Sequence, residues 1–76
     1  FMKILLLEDD VILSEIIEEF LNELGYNVEV CFDGEEAILK AYSQRFDLLL
    51  LDINVPLTNG IEFLTLLRQN NNTTPA

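Results

Sequence analysis

The sequence contains one cysteine, no histidine and no tryptophan. A single cysteine, Cys31, excludes an internal disulfide framework, and with no histidine the usual ligand sets of a zinc site cannot be assembled. We interpret Cys31 as a small buried hydrophobic residue of a protein that is kept reduced, which predicts a cytoplasmic location.

Basic residues are also scarce, since 4 Lys and Arg stand against 14 Asp and Glu, for a formal net charge of −10. This balance repels phosphate backbones, so we expect no direct binding of nucleic acid, although a cation or a basic protein surface is compatible with it. No hydrophobic run approaches the ~20 residues of a membrane span, and no charged leader precedes a signal-like core. The sequence therefore predicts no membrane segment and no signal peptide.

Hydrophobic residues are plentiful, at 50% of the 76 positions, which is typical of a small globular domain. Their spacing alternates between strand-like and helix-like periods. In the first helix the spacing selects Leu13, Ile16, Ile17, Phe20, Leu21 and Leu24, with Asp10 as N-cap and Gly25 just beyond the end. The expected strands are residues 3–7, 26–32 and 48–51, and the expected helices are 11–24, a segment that follows the turn at 33–37 and ends near 45, and 61–69. Pro56, Asn59 and Gly60 mark a loop before the last helix.

The order β-α-β-α-β-α predicts an α/β fold with a parallel sheet and right-handed crossovers. If the first strand lies in the middle, the strand order is 2-1-3, and the order reverses beside the first strand. Ligands of open α/β sheets bind at such a point, outside the carboxyl ends of the strands. Glu8 and Asp9 follow the first strand and Asp52 follows the four leucines of the third, so we expect these three side chains to meet there.

Three carboxylates in one crevice repel, because a like-charge pair at ~4 Å costs roughly 4 kcal/mol at an effective dielectric constant near 20. Either one takes up a proton or a cation lies between them. With no histidine and no cysteine nearby, the donors are oxygens, which favour a hard ion such as Mg²⁺. A carboxylate beside that ion can act as a nucleophile toward phosphorus. Asp10 is better explained as a helix cap than as a ligand.

The segments "KILLLEDD", "GYNVEVCFDGEEA" and "DLLLLDINVPLTNG" resemble, in order and spacing, response-regulator receiver domains of two-component signalling. The resemblance implies the flavodoxin-like (CheY-like) doubly wound fold. It implies that Asp52 accepts a phosphoryl group from a sensor histidine kinase, and that Glu8 and Asp9 hold Mg²⁺, with Asp9 the more direct ligand. By the same resemblance the backbone carbonyl of Asn54, two residues beyond Asp52, also ligates the ion, and the Asn54 side chain tunes dephosphorylation.

The resemblance extends over residues 2–76 but only over the first three β/α units of the family. It predicts a partial receiver domain with no second domain in this chain, which lacks the Ser or Thr and the Lys that the family carries after its fourth and fifth strands. The implied module is a signalling domain rather than an enzyme, at most removing its own phosphoryl group, and it serves an output domain elsewhere in the parent protein, most simply a DNA-binding one that regulates transcription. Because the third strand would lack an outer neighbour, we also expect self-association through its edge.

Two alternatives remain open from the sequence. A half-fold that only dimerises, without phosphorylation, would keep the same hydrophobic pattern. A phosphatase fragment resembling the haloacid dehalogenases would also place an Asp after an apolar strand. That family favours a second Asp two residues later, where this chain has Asn54, and it gives no role to Glu8 and Asp9.

Overall fold

The computed structural model of the chain describes residues 2–52, 60–70 and 72–76. The elements, in chain order, are β1 (Lys3–Leu7), α1 (Val11–Glu23), β2 (Asn27–Cys31), α2 (Gly34–Ser43), β3 (Leu48–Leu51) and α3 (Gly60–Gln69). The two leucine-rich strands have the bounds that their hydrophobic runs predict. The predicted loop at Pro56 and Asn59 lies outside the described residues.

The three strands form one parallel sheet in the order β2-β1-β3, as the sequence predicts. In the register of the sheet, Leu7 of β1 pairs with Cys31 on one side and with Leu51 on the other. All three strands therefore end at the same level. The residues that follow them, including Glu8 and Asp52, therefore lie together at the carboxyl end of the sheet.

Side chains alternate between the two faces of the sheet along each strand, and in these strands apolar side chains lie on both faces. Helices pack on both faces and bury them. Leu5, Leu7 and Leu49 point to the face on which α2 and α3 pack, where Ala37 and Phe63 complete one core. Ile4, Leu6 and Val28 point to the other face, where Ile17 and Leu21 of α1 pack. The central strand is buried on both faces, with residues 4–7 at most 4% exposed.

Local signals in the sequence explain where the first two helices begin and where the first one ends. Asp10 caps α1, with its Oδ1 accepting from the Leu13 N–H at 3.1 Å, and Asp33 caps α2 in the same way through the Glu36 N–H at 2.9 Å. Gly25 follows the end of α1 with φ of +92°, a left-handed conformation that favours glycine. The predicted roles of Asp10 and Gly25 are thus confirmed.

The outer face of α1 remains apolar and exposed. Of the six residues that the helical spacing selects, only Ile17 and Leu21 pack against the sheet. The other four, Leu13, Ile16, Phe20 and Leu24, are 42–60% exposed. The hydrophobic stripe of α1 is therefore wider than the face of the three-stranded sheet on which it packs.

The outer edge of β3 is not bare, in contrast to the expectation from the sequence. Pro75 lies beside it, and the Leu49 N–H donates a hydrogen bond of 2.8 Å to the carbonyl of Pro75. Propensity does not reveal this contact, because a polar stretch ending in Thr-Thr-Pro-Ala reads as a turn. Part of the edge is therefore covered by the chain itself.

Candidate functional site at the carboxyl end of the sheet

Backbone hydrogen bonds hold the first residues beyond β1 and β3 in place. The Glu8 N–H donates to the carbonyl of Cys31 at 3.0 Å, and the Asp52 N–H donates to the carbonyl of Leu7 at 2.9 Å. Each bond continues the ladder of its strand pair by one residue. Glu8 and Asp52 are thus positioned by the sheet rather than by a loop.

Three carboxylates lie close together at the carboxyl end of the sheet. Glu8, Asp9 and Asp52 each present an oxygen, and these oxygens all lie within 4.8 Å of one another. Their exposure differs, since Glu8 is buried, Asp52 is half-buried and Asp9 is exposed. The cluster therefore has a buried side and an open side. The structure brings together three of the four site residues predicted from the sequence, and the fourth, Asn54, lies outside the described residues.

The electrostatics of the cluster are visible at Glu8, which is 9% exposed. Burial raises the pKa of the Glu8 carboxyl, and the hydrogen bond that its Oε2 accepts from the Asp10 N–H, at 3.2 Å, lowers it. The neighbouring Asp52 and Asp9 carboxyls raise the pKa again, and the net direction is upward. Glu8 thus holds its proton more tightly than a free glutamate does, chiefly because it is buried and in part because Asp52 and Asp9 lie beside it.

A groove of about 400 Å³ runs beside the cluster on the α1 face of the sheet. Leu6, Ile17 and Leu50 supply its apolar walls, and Glu8 and Asp52 stand at one end of it. Sequence reasoning did not identify these wall residues as part of the site. A signal was present, because Leu6 and Leu50 lie two residues before Glu8 and Asp52 and so point to the same face of the sheet.

The basic residues of the chain lie toward the other end of the fold. Lys3 begins β1, Lys40 and Arg68 are in the last turns of α2 and α3, and Arg45 follows α2. In a parallel sheet with crossover helices these positions are near the amino ends of the strands. A larger cavity of about 470 Å³ also lies away from the carboxylates, between Arg45, Asp47 and residues 72–75. The acidic cluster and the basic side chains are therefore segregated along the strands.

The donor set of the cluster fits a hard divalent cation. Its side-chain donors are carboxylate oxygens, which are the ligands that Mg²⁺ takes. Burial raises the pKa of Glu8, the neighbouring Asp52 and Asp9 carboxyls raise it further, and a cation placed among the three groups relieves their mutual repulsion. The half-buried position of Asp52 leaves it accessible from the open side.

The chain belongs to the response regulator receiver domain family, whose sequence model matches residues 4–76. The chain is 45% identical over 74 residues to the transcriptional regulatory protein CiaR of Streptococcus pneumoniae, covering 97% of this chain and 33% of CiaR. It is 53% identical over 60 residues to the transcriptional regulatory protein CrdR of Helicobacter pylori, covering 79% of this chain and 28% of CrdR. The chain thus spans about a third of the length of these curated relatives.

Solved structures of receiver domains have the same fold. The receiver domain of the Francisella response regulator 1452 superposes with a TM-score of 0.96 at 32% identity, over 99% of this chain and 62% of that one. The response regulator TrrA of Thermotoga maritima, solved in complex with Mg²⁺-BeF, gives a TM-score of 0.87 at 34% identity, over 92% and 61%. TrrA has also been solved in complex with the histidine kinase ThkA, with a TM-score of 0.85 at 35% identity, over 91% and 60%. The predicted CheY-like fold is confirmed.

Among the residues that the structure describes, no helix is long and apolar enough to cross a bilayer.

Proposed function

We propose that this chain is the phosphoacceptor module of a two-component response regulator and that Asp52 takes a phosphoryl group from a sensor histidine kinase. The observation that carries the proposal is the placement of Asp52, half-buried at the end of β3, with its carboxylate beside those of Glu8 and Asp9. Membership of the receiver family supports it, as does the complex of the similar protein TrrA with a histidine kinase.

The reaction assigned to Asp52 is a nucleophilic substitution at phosphorus. A carboxylate oxygen of Asp52 attacks the phosphorus of the donor phosphohistidine, and the bond between phosphorus and the imidazole nitrogen breaks. The electron pair of that bond stays with the nitrogen, and Asp52 becomes an acyl phosphate. The hydrogen bond from the Asp52 N–H to Leu7 fixes the backbone from which this carboxylate extends.

Glu8, Asp9, Asp52 and the backbone carbonyl of Asn54 are the groups that would hold Mg²⁺. The geometry of the first three fits the ion, and TrrA, which is similar to this chain, has been solved with Mg²⁺-BeF. When bound, the ion neutralises negative charge that gathers as the phosphoryl group approaches. Asp9, the more exposed of the acidic pair, is assigned as its direct ligand. Glu8 is buried, and its carboxylate contributes to the cluster from the side that faces the sheet.

The remaining assignments follow from the same proposal. Residues 2–76 correspond to the first three β/α units of a receiver domain, acting in the cytoplasm as a signalling component rather than as an enzyme on a diffusible substrate. Hydrolysis of its own aspartyl phosphate is the most that it would catalyse. The response is passed to an output domain of the parent regulator, as the transcriptional regulators CiaR and CrdR suggest, and that domain is most simply a DNA-binding one.

Self-association through β3 remains part of the proposal in a narrower form. Pro75 lies at the edge beside Leu49, so among the described residues the part of the edge proposed to pair with a second copy is the half near Leu51. Edge strands with apolar side chains pair readily with other strands. A dimer that grows with concentration in sedimentation velocity, up to high micromolar concentration, supports this assignment. A concentration-independent monomer contradicts it.

Phosphotransfer to this chain tests the main proposal. The 76-residue protein is incubated with a phosphorylated histidine kinase, or with a small acyl phosphate donor, with Mg²⁺ or with a chelator, and its intact mass is measured. The expected result is the addition of one phosphoryl group that requires Mg²⁺, survives acid and is removed by base. No adduct in any condition contradicts the assignment of this chain as a phosphoacceptor.

Asp47→Asn is the matched control for Asp52→Asn, because the two aspartates flank β3 at opposite ends. Asp47 accepts a hydrogen bond of 2.8 Å from the Lys3 N–H, which an asparagine oxygen can also accept. Asp47→Asn is expected to be phosphorylated as the wild type is, and Asp52→Asn is expected to remain unmodified. Phosphorylation of Asp52→Asn would show that another carboxylate is the acceptor.

A further inference from the structure

Asp10 connects the acidic cluster to the beginning of α1 through its backbone and its side chain. Its N–H donates a hydrogen bond of 3.2 Å to Oε2 of Glu8, which lies two residues earlier. Its Oδ1 accepts from the Leu13 N–H at 3.1 Å, and its carbonyl accepts from the Ser14 N–H at 2.9 Å. One residue therefore contacts a carboxylate of the cluster on one side and the first turn of α1 on the other.

The capping geometry sets the direction of the Asp10 N–H. As the N-cap, Asp10 has an extended backbone, with φ of −79° and ψ of 108°, and the helix begins at the next residue. This is the conformation in which the side chain of an N-cap reaches a backbone N–H of the first turn. Because the amide is planar, fixing the backbone of Asp10 through its side chain also fixes the direction of its own N–H. The cap thus directs this N–H toward the Glu8 carboxylate.

The first turn of α1 is itself held firmly in the fold. Ser14 is 1% exposed, and its Oγ donates to the carbonyl of Val11 at 2.7 Å. Three residues later, Ile17 packs against the core on the same face of the sheet as Leu6. The end of the helix that Asp10 caps is therefore fixed relative to β1, the strand that leads into the acidic cluster.

Asp9, the proposed direct ligand of Mg²⁺, lies between two anchored residues. Before it, the Glu8 N–H donates to the carbonyl of Cys31 at 3.0 Å, and after it Asp10 is held by α1. The hydrogen bond from the Asp10 N–H to Glu8 Oε2 closes a turn with Asp9 at its middle. Such a turn restricts the backbone from which the exposed Asp9 carboxylate extends. Hydrogen bonds that orient metal ligands in this way raise the affinity of a site.

We infer that Asp10 is a positioning residue of the acidic cluster, because by capping α1 it holds the Glu8 and Asp9 carboxylates in the arrangement that binds a divalent cation. The inference rests on the proposed function, since it takes the cluster as the Mg²⁺ site, and it adds a residue outside the proposed ligand set. Asp10 acts through its Oδ1 as a hydrogen-bond acceptor rather than through its charge. Asp10→Asn keeps that acceptor, and Asp10→Ala removes it.

Titration of the full chain with Mg²⁺ alone, followed by heteronuclear NMR spectra of its backbone amides, measures the effect on binding. Asp10→Ala and Asp10→Asn lose the same charge, so the ratio of their dissociation constants reports the cap. Asp10→Ala is expected to bind Mg²⁺ about tenfold more weakly than Asp10→Asn, as when a hydrogen-bond partner of a metal ligand is removed. Asp33→Ala and Asp33→Asn are the matched control pair, because Asp33 caps α2 through the Glu36 N–H at 2.9 Å and is not one of the clustered carboxylates. The two Asp33 variants should have equal dissociation constants.

Hydrogen exchange of the residue-10 amide in a chelating buffer measures the positioning without any ion. This amide is expected to be protected in the wild type and in Asp10→Asn. Its protection factor should fall about fivefold in Asp10→Ala, as the loss of a helix cap gives. The Leu5 amide, in the central strand, reports whether the fold is intact. Should Asp10→Ala prove unfolded, Asp10→Gly decides by the same criteria, because glycine lacks the acceptor but costs an N-cap less stability than alanine does.

The outcomes separate the inference from the proposed function. Equal dissociation constants for Asp10→Ala and Asp10→Asn overturn the inference and leave the proposed function intact. A difference in binding without a difference in exchange at residue 10 also overturns it, because the cap would then act by another route. An equally large ratio for the Asp33 pair overturns it too, because any lost cap would then weaken binding. If Mg²⁺ shifts no amide of the cluster in the wild type, the metal site of the proposed function fails, and the inference fails with it.

Discussion

The backbone N–H of Asp52 donates a hydrogen bond of 2.9 Å to the carbonyl oxygen of Leu7. This bond is made one residue beyond the end of β3 and anchors Asp52 to the central strand of the sheet. Leu7 itself is fully buried, so the acceptor cannot shift without disturbing the core. The proposed nucleophile therefore starts from a fixed backbone, and Glu8 follows Leu7 directly in the chain.

Replacing Asp52 by Asn is expected to stabilise the chain when divalent cations are absent. The substitution removes one of three charges whose oxygens lie within 4.8 Å of one another. At an effective dielectric constant near 20 the relief is on the order of 1 kcal/mol after screening by solvent. Urea unfolding in a chelating buffer measures it as a higher midpoint. A lower midpoint would show that the charge of Asp52 is already compensated within the fold.

Adding Mg²⁺ is expected to make the wild type more stable to urea than Asp52→Asn, which is the reverse of the order expected without divalent cations. An ion that binds the folded state raises its stability in proportion to the logarithm of its concentration above the dissociation constant. Mg²⁺ should raise the free energy of unfolding of the wild type by more than that of Asp52→Asn. It should raise that of Asp47→Asn by as much as that of the wild type. Equal gains for the wild type and Asp52→Asn would place the ion away from the cluster.

Replacing Phe63 by Ala is expected to lower the free energy of unfolding by about 3–5 kcal/mol, because the large side chain leaves a cavity. Phe63 is fully buried between α3 and the sheet. Ile61, two residues earlier in α3, is 63% exposed, and Ile61→Ala should change stability by less than about 0.5 kcal/mol. Urea unfolding followed by far-ultraviolet circular dichroism measures both. Similar losses for the two variants would contradict the placement of α3.

The Glu29 carboxylate is expected to stabilise the fold at neutral pH and to lose that contribution in acid. Burial by itself raises the pKa of Glu29, but the hydrogen bond from Gln44 at 3.0 Å and the Lys40 ammonium at 3.3 Å lower it to below its usual 4.5. The unfolded chain therefore binds this proton first as the pH falls below 4.5, and stability declines there.

Comparison of Glu29→Gln with the wild type isolates this contribution. The variant should be less stable at pH 7 by no more than about 1 kcal/mol, since the pair is partly exposed. The difference should shrink as the pH falls below the usual carboxyl pKa of 4.5. A difference in unfolding free energy that stays constant from neutral pH into acid would show that the Glu29 charge is not involved.

The Cys31 thiol is expected to be unreactive in the folded protein. Burial raises its pKa to about 12, with a further contribution from the Glu36 carboxylate, and the side chain is fully buried. Alkylation at pH 8 should be at least ~100-fold slower than for an ordinary thiol, because the thiolate is the reactive form. The labelling rate, read by mass across a urea series, should rise with unfolding. Fast labelling in native buffer would contradict the burial of this residue.

Much of the fold could be predicted from the sequence, because its local signals agree with one another. The runs "KILLL" and "LLLL" are too short for helices and became β1 and β3 with the predicted bounds. Asp10 and Gly25 marked the two ends of α1. The exposed outer face of α1 and the contact of Pro75 with β3 depend on what packs beside them in space, which periodicity along the chain does not contain.

The candidate site was predictable to the extent that it depends on strand ends. Parallel strands bring the residues that follow them to the same end of the sheet, and this is why the carboxylates of Glu8, Asp9 and Asp52 lie close together. The burial of Glu8 and the groove walled by Ile17 were not predictable, because both depend on where α1 lies against the sheet. The assignment of Asn54 stays a prediction.

The most direct test of the central claim locates the phosphoryl group at a residue. After phosphorylation the chain is treated with borohydride, which reduces an aspartyl phosphate to homoserine, and is then sequenced by tandem mass spectrometry. The proposal predicts homoserine at position 52 in samples with Mg²⁺ and its absence in chelated samples. Reduction at Glu8 or Asp9, or at no residue of a chain shown to be folded, would contradict the assignment of Asp52 as the phosphoacceptor.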